Sequence, residues 1–178
     1  GKQQGIAIFA KDIHGHGATF FNGKAENLQK PFEEFVADAS LQNNVALLWA
    51  EVGNSSGQTF KVATTHLPVT ERGSVTPFQL TVIDSLLATL AGLSEFAFCG
   101  DMNAPRGKEA FDRLARKYKD NIPAEYETSI DQDLHRAKGL QVMVDGLFTT
   151  SAYKASQVKL VDGVSDHMAI VAQITKIS

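Results

Sequence analysis

Runs of apolar residues divide most of the chain into short strands. The runs at residues 45–52 and 60–67 flank a Gly- and Ser-rich turn at residues 53–57, and this arrangement predicts a β-hairpin. A buried strand is predicted at residues 5–10, where the apolar run is continuous. The remaining strands are predicted at residues 95–99, 141–148 (interrupted by Asp145), 158–161 and 168–174.

Helical spacing of apolar residues appears in the middle of the chain. Residues 76–91 predict a helix that Thr76 caps and Gly92 ends. A second helix is predicted near residues 107–118, and residues 30–35 allow one short helix. The apolar face of the first helix is predicted to consist of Phe78, Val82, Ile83, Leu86, Leu87 and Leu90.

Two stretches lack a regular pattern. Residues 11–23 are rich in Gly and His and indicate a loop or hairpin, within which residues 19–21 can pair. Residues 119–141 are polar and indicate a long loop of the kind that is usually functional or mobile. Because strands and helices are interspersed with hairpins, the pattern predicts a single α/β domain of the α+β type over residues 1–178.

Composition narrows the function classes only slightly. The net charge of −3 provides no global basic field, so a polyanion would have to bind a local patch. The single cysteine, Cys99, cannot form an internal disulfide and gives no sign of an oxidising compartment. No apolar run approaches the roughly 20 residues of a transmembrane helix. No signal-peptide pattern is visible.

Polar residues interrupt four predicted strand ends, and we expect them to meet at one rim of a layered sheet. Each has an ordinary structural alternative, because Asp and Asn form turns and a lone His usually satisfies a local contact. Together they suit phosphoester hydrolysis, in which a carboxylate-held imidazole activates water and a cation offsets phosphate charge. The positions are His66, Asp101 with Asn103, Asp145, and Asp166 with His167.

Further charged residues have two open interpretations. They either line a phosphate-binding cleft or form surface salt bridges, and the sequence does not choose between these. His14 and His16 lack an acidic or cysteine partner at zinc-site spacing, which favours a structural role. The residues considered for the cleft are Arg106, Lys108, Arg113, His135 and Arg136, and of these Arg106, His135 and Arg136 are the predicted substrate-binding residues.

Four short motifs, in this order, resemble those of the endonuclease/exonuclease/phosphatase superfamily over nearly the whole chain. They are Thr65-His66-Leu67, Gly100-Asp101-Met102-Asn103-Ala104, Val144-Asp145-Gly146-Leu147-Phe148 and Ser165-Asp166-His167. The resemblance implies an αββα sandwich of two mixed β-sheets flanked by helices, with one Mg²⁺ or Mn²⁺. It also implies metal-dependent hydrolysis of a phosphoester, most readily a phosphodiester in a nucleic acid or in a small or lipid molecule.

The resemblance also implies roles for individual residues. His167 would be the general base or a direct phosphate partner, with Asp145 orienting it. Asp101 and Asn103 would position water, phosphate or metal, and Asp166 would join Asp101 in binding the metal. His66 would contact the phosphate or assist the leaving group.

One departure from the family pattern qualifies this interpretation. The family's principal metal ligand is a Glu, usually in Gln-Glu, that precedes the strand corresponding to residues 5–10. The chain therefore resembles the C-terminal two-thirds of the domain, and we expect it to need an N-terminal segment for tight metal binding and fast turnover. Two alternatives remain: a non-catalytic binding or scaffold fragment, and a hydrolase of lipid head groups.

Overall fold

A six-stranded sheet forms the centre of the computed structural model, which describes residues 5–24 and 44–177. The strand order is β1–β2–β3–β4–β6–β5, and β7 and β8 form a separate antiparallel pair. This arrangement confirms the predicted α+β class. The strands are β1 Ile13–Asn22, β2 Val45–Gly53, β3 Thr59–His66, β4 Ala97–Asp101, β5 Lys119–Asp120, β6 Asp145–Thr149, β7 Tyr153–Val161 and β8 Ala169–Lys176; the helices are α1 Pro77–Ala91 and α2 Glu109–Lys117.

The connections between strands bring several strand ends to one edge of the sheet. β2 and β3 form the predicted antiparallel hairpin, whose turn is stabilised by the Asn54 side chain accepting from the backbone of Ser56 and Gln58. Helix α1 then carries the chain across, so that β4 lies parallel to β3. The C-terminal ends of β3 and β4 therefore meet at the edge where the antiparallel β6 begins.

Helix α1 begins and ends as the sequence predicts. The Thr76 hydroxyl accepts a hydrogen bond from the backbone N–H of Gln79 at 3.1 Å, and Gly92 follows the last turn. Phe78 departs from the prediction, since it is 41% exposed. The buried face instead begins one position later, which turns Phe78 away from it; this face consists of Gln79, Val82, Ile83, Leu86 and Leu90.

The two faces of the central sheet pack against different layers. Phe148 faces the helices, where its ring lies 5.4 Å from that of Phe111, and it is fully buried. Its neighbour Leu147 points to the opposite face, as strand geometry requires, and packs in a cluster with Leu160 and Ile170 of the two-stranded sheet. The described residues thus form three layers, with helices on one side of the six-stranded sheet and β7–β8 on the other.

The predicted buried strand at residues 5–10 is wrong. These residues lie outside any strand, and the Phe9 side chain is 93% exposed. The edge strand is β1, which includes residues 19–21 and occupies most of the predicted loop; it pairs antiparallel with β2. An apolar run forms a buried strand only where another element covers it, and no strand within the described ranges pairs with residues 5–10.

Three other predictions change in extent. β6 begins at Asp145 because its partner β4 ends opposite it at Asp101, so residues 141–144 are loop. β7 starts five residues before the predicted strand at 158–161. The long polar segment contains β5 and a bridge between Ile130 and His167. The predicted helix at residues 30–35 lies outside the described residues.

No helix in the described ranges is both long enough and apolar enough to cross a bilayer.

Gly100 permits the close approach of β3 and β4, and we expect Gly100→Ala to destabilise the protein by about 3 kcal/mol or more. A Cβ atom at this position would lie 2.1 Å from the Thr65 carbonyl oxygen, so the strands would have to separate. Urea unfolding measures the change. Gly5→Ala is the control, because a Cβ there meets nothing within 4 Å; equal stability of the two variants would contradict the prediction.

Candidate functional site

Three polar side chains lie in a row across neighbouring strands. His66 at the end of β3 pairs in register with Asp101 at the end of β4, and Asp101 pairs with Asp145 at the start of β6. Paired residues on adjacent strands point to the same face of a sheet, so the three side chains stand side by side. The sheet register alone therefore brings together residues that are far apart in the sequence.

His167 joins this row through Asp145. Its Nδ1 atom lies 2.7 Å from the Asp145 Oδ2 atom, which fixes the imidazole and leaves Nε2 on the other side of the ring. The hydrogen bond to Asp145 raises the pKa of His167 to about 8, against the opposing effect of partial burial. The pair has the geometry of a carboxylate-oriented acid–base group.

Asp101 lies between His66 and Asp145 in this row. Its Oδ2 atom is 3.6 Å from His66 Nε2, and its side chain is only 17% exposed. Burial raises the pKa of the Asp101 carboxyl, and the nearby charge of Asp145 raises it further. The row therefore places two carboxylates next to each other in a partly buried position, where a positive charge would stabilise both.

Asn103 is held beside Asp101 in an uncommon backbone conformation. Its φ of 46° lies in the left-handed region, which Asn tolerates better than most residues. Its backbone N–H donates to Asp101 Oδ1 at 2.8 Å, and its side-chain amide donates to the Leu67 carbonyl at 2.7 Å. The buried Gln79 side chain donates to the Asn103 carbonyl at 3.0 Å.

The sequence analysis assigned no role to Gln79. Thr76 and Gln79 have the spacing of a capping box, in which the Gln side chain bonds back to the helix start. In the structure the side chain bonds to Asn103 instead. The sequence signal was present, but it indicated the wrong partner. Ser129 and Asp131 were likewise placed only in the polar loop, although both are buried beside the site.

The remaining predicted site residues occupy different surroundings. The His135 ring centroid lies 6.1 Å from that of His167, so His135 flanks the site. Arg136 and Asp166 are exposed, and the charge of Asp166 contributes to the raised pKa of His167. Arg106 pairs with Asp120 at 2.8 Å, and its guanidinium donates to the carbonyls of Ile122, Pro123 and Tyr126.

The charges of helix α2 form ion pairs along its surface. Arg113 contacts both Asp84 and Glu109, and Arg116 contacts Glu109. Lys108, just before the helix, is exposed. For Arg113, these contacts correspond to the salt-bridge alternative.

Comparison with solved structures identifies the fold. An endonuclease/exonuclease/phosphatase family protein from Bacteroides thetaiotaomicron superposes with a TM-score of 0.63 at 12% identity over 92% of this chain and 65% of that one. A mannosyl-6-phosphatase from the same organism gives 0.62 at 10% identity, over 92% and 67%. The human Nocturnin catalytic domain with bound sulfate gives 0.62 at 16%, over 93% and 60%.

The chain has the fold of the endonuclease/exonuclease/phosphatase family. This confirms, at the level of fold, the resemblance that the four motifs indicate. The chain spans about two thirds of the length of these solved structures. No family model and no curated protein matches the sequence.

The donor atoms of this site are arranged so that they could hold a divalent cation. Ligand atoms of Asp101, Asp145 and His167 all lie within 4.8 Å of one another. Two carboxylates and an imidazole suit Mn²⁺, and the carboxylates suit Mg²⁺. Burial and the neighbouring Asp145 charge raise the pKa of the Asp101 carboxyl, and a nearby cation would offset both effects. Asp166, predicted as a second metal ligand, is not among these three within the described residues.

In metal-free protein, His167 should make stability depend on pH. Its folded-state pKa of about 8 exceeds the unfolded value near 6.5, so protonation stabilises the fold by at most about 2 kcal/mol. That contribution is fully present well below pH 6.5 and is lost as the pH rises through 8. Urea unfolding in EDTA from pH 5.5 to 9 measures it.

The variant His167→Gln should lack this loss of stability between pH 6.5 and 9. His16→Gln, on the distant edge strand β1, is the control and should follow the wild-type curve. Parallel curves for the wild type and His167→Gln would show that the Asp145–His167 pair does not stabilise the protonated imidazole.

Proposed function

We propose that this protein is a divalent-metal-dependent phosphoesterase. The observation that carries the proposal is the 2.7 Å hydrogen bond between Asp145 and His167, placed next to the Asp101 carboxylate. This arrangement supplies an oriented imidazole for proton transfer next to an anionic site for a cation. The fold and its occurrence in phosphatases support the same assignment.

Asp145 and His167 form the proposed acid–base pair. Asp145 accepts from Nδ1–H, which holds the ring so that Nε2 is available to take a proton from a water molecule. At neutral pH the imidazole of the metal-free protein is largely protonated, because its pKa is about 8. In that state it would donate a hydrogen bond to a phosphoryl oxygen, and in its neutral state it would act as the base.

Asp101 is the proposed metal-holding carboxylate, and Asp166 is proposed as a second ligand. A bound Mg²⁺ or Mn²⁺ would offset the negative charge of the phosphoryl oxygens and polarise the phosphorus–oxygen bonds. Asp101 is suited to this role because it is mostly buried and lies against a second carboxylate. Asn103, whose backbone contacts Asp101, would position the water or the phosphate.

His66 and His135 are the proposed phosphate contacts on either side. His66 stands at the outer end of the row with a side chain 47% exposed, and His135 flanks His167. Arg136, exposed next to His135, is proposed to extend this contact toward the rest of the substrate. The two terminal nitrogens of Arg106 contact Asp120 and the loop carbonyls, and we propose that it supports the site rather than the phosphate.

For the substrate we propose a phosphodiester, with a phosphomonoester as the alternative. The monoester alternative is favoured by the structural likeness to a mannosyl-6-phosphatase. The net charge of −3 argues against tight, sequence-independent binding of long nucleic acids. A small or lipid-derived phosphodiester therefore remains within the proposal alongside nucleic acid.

Hydrolysis of bis-(p-nitrophenyl) phosphate and p-nitrophenyl phosphate with Mg²⁺ or Mn²⁺ tests the activity. We expect a diester rate abolished by EDTA, and His167→Ala should lower kcat/KM by about 10³-fold through loss of acid–base catalysis. Asp101→Asn should have a similar effect. His16→Ala is the matched histidine control and should keep full activity; equal rates in His16→Ala and His167→Ala would contradict the assignment.

Tight metal binding is proposed to need a further ligand supplied by an N-terminal segment. Of the three donor groups that lie together, Asp145 and His167 form the proposed acid–base pair, which leaves Asp101 for the cation; the chain spans about two thirds of the matched structures. Because Mg²⁺ and Mn²⁺ prefer six oxygen or nitrogen ligands, so few protein donors give modest affinity. A non-catalytic fragment that keeps the fold is the second candidate, and the same observations favour it.

Manganese titration followed by electron paramagnetic resonance tests this requirement. The chain extended upstream to include the family's Gln-Glu should bind Mn²⁺ at least about 10-fold more tightly than the chain alone, since it adds a carboxylate ligand. Turnover of the diester should rise in parallel. Equal affinity and equal turnover of the two proteins would exclude the requirement for an upstream ligand.

A further inference from the structure

Ser129 contacts the backbone of the chain segment that carries Asp145 and the backbone of the segment that carries His167. It is fully buried in the loop between β5 and β6. Its hydroxyl oxygen accepts from the backbone N–H groups of Val144 and Asp145, each at 3.2 Å. Its carbonyl oxygen accepts from the N–H of Met168, the residue after His167, at 2.8 Å. One residue thus joins the two chain segments that carry the pair.

The hydroxyl replaces a strand partner that the sheet lacks at this point. β5 pairs only with Phe148 and Thr149 at the far end of β6, so β6 has no strand on its outer side at Asp145. A buried backbone N–H without an acceptor costs about 1–3 kcal/mol, so the start of β6 needs an acceptor there. Ser129 provides it for two consecutive N–H groups.

The residues after Ser129 form backbone contacts with the segment that carries His167. Ile130 forms a bridge with His167, and the N–H of Asp131 donates to the Asp166 carbonyl at 3.1 Å. The buried Asp131 carboxylate accepts from the Gly163 N–H at 2.6 Å. The segment 129–131 therefore lies as a short connector between the start of β6 and the loop before β8.

We propose that Ser129 is a positioning residue that sets the hydrogen bond between Asp145 and His167. The chemical use of that hydrogen bond rests on the proposed function, but its geometry does not. Ser129 fixes the backbone of Asp145 through its side chain and the backbone next to His167 through its carbonyl. Removing the hydroxyl leaves the Asp145 backbone held by β4 on one side but without its contact on the outer side, so we expect the distance between the two side chains to become less well defined.

The variant Ser129→Ala and the control Thr128→Val separate positioning from general loop stability. Thr128 precedes Ser129 in the same loop, and its hydroxyl bonds to the backbone of Val142 and Ile130 rather than to Asp145. Each variant removes one partly or fully buried hydroxyl that accepts from two backbone N–H groups, and the Thr128 hydroxyl also donates to the Val142 carbonyl. The expected loss of thermal stability is therefore at least as large in Thr128→Val as in Ser129→Ala.

Proton NMR of the metal-free protein supplies the readout. The Nδ1 proton of His167, hydrogen-bonded to Asp145, should give a downfield resonance that disappears in Asp145→Asn. We expect this resonance to persist in Thr128→Val and to be lost or broadened in Ser129→Ala. Should Ser129→Ala fail to fold, Ser129→Cys, whose sulfur is a weak acceptor, carries the same measurement.

Kinetics with the diester substrate extend the test to turnover. Ser129→Ala should lower kcat about 10- to 100-fold with KM changed less than about twofold, while Thr128→Val keeps the wild-type values. A wild-type resonance in Ser129→Ala would overturn the positioning role. An upstream-extended protein that is inactive, but whose resonance responds to Ser129→Ala, would instead refute the proposed function and retain the positioning role.

Discussion

Two carboxylates held side by side, Asp101 and Asp145, are the constraint on which the rest of the site depends. They pair directly across β4 and β6, and like charges in such positions destabilise a sheet. Partial burial increases that cost, as the raised pKa of Asp101 indicates. His66 flanks Asp101, and His167 flanks Asp145. The row therefore has two carboxylates at its centre and a histidine, which can carry positive charge, at each end. This order of charges is the electrostatic basis of the proposed binding of a cation and a phosphate.

The backbone places this row with little help from side-chain packing at the site itself. The parallel pairing of β3 and β4 requires the α1 crossover, and α1 is anchored by its buried face in the main core. Gly100 lets the two strands approach closely at their ends. Gln79 and Ser129 then fix the segments that follow, through hydrogen bonds to backbone atoms of Asn103 and Asp145. These two buried polar residues therefore lie where they can satisfy backbone groups of the segments next to the site.

The sequence predicted the elements whose determinants are local. The hairpin follows from two apolar runs and a turn, and α1 follows from a cap, a periodic face and a terminal Gly. The polar strand ends were also predictable, because polar residues that interrupt apolar strands are conspicuous. Strand β1 was missed because its residues pair along the edge of β2, whereas the more apolar residues 5–10 do not pair in the described part of the chain.

The supporting residues could not have been assigned from the sequence. Ser129 lies in a polar loop like many others, and its importance arises from two partners about 15 residues further along the chain. Gln79 carried a capping signal, but the bond it makes depends on where β4 ends in space. Periodicity describes which side of an element is buried, and it contains no information on which distant backbone atom a buried polar group will meet.

The separation of Asp145 and His167 along the chain, with β7 between them, has a consequence for the order in which contacts form. Contacts within the β2–β3 hairpin and within the helices are short-range and can form early, whereas Asp145 and His167 meet only after the last strand pair has docked. The hydrogen bond between Asp145 and His167 therefore couples the C-terminal strand pair to the six-stranded sheet.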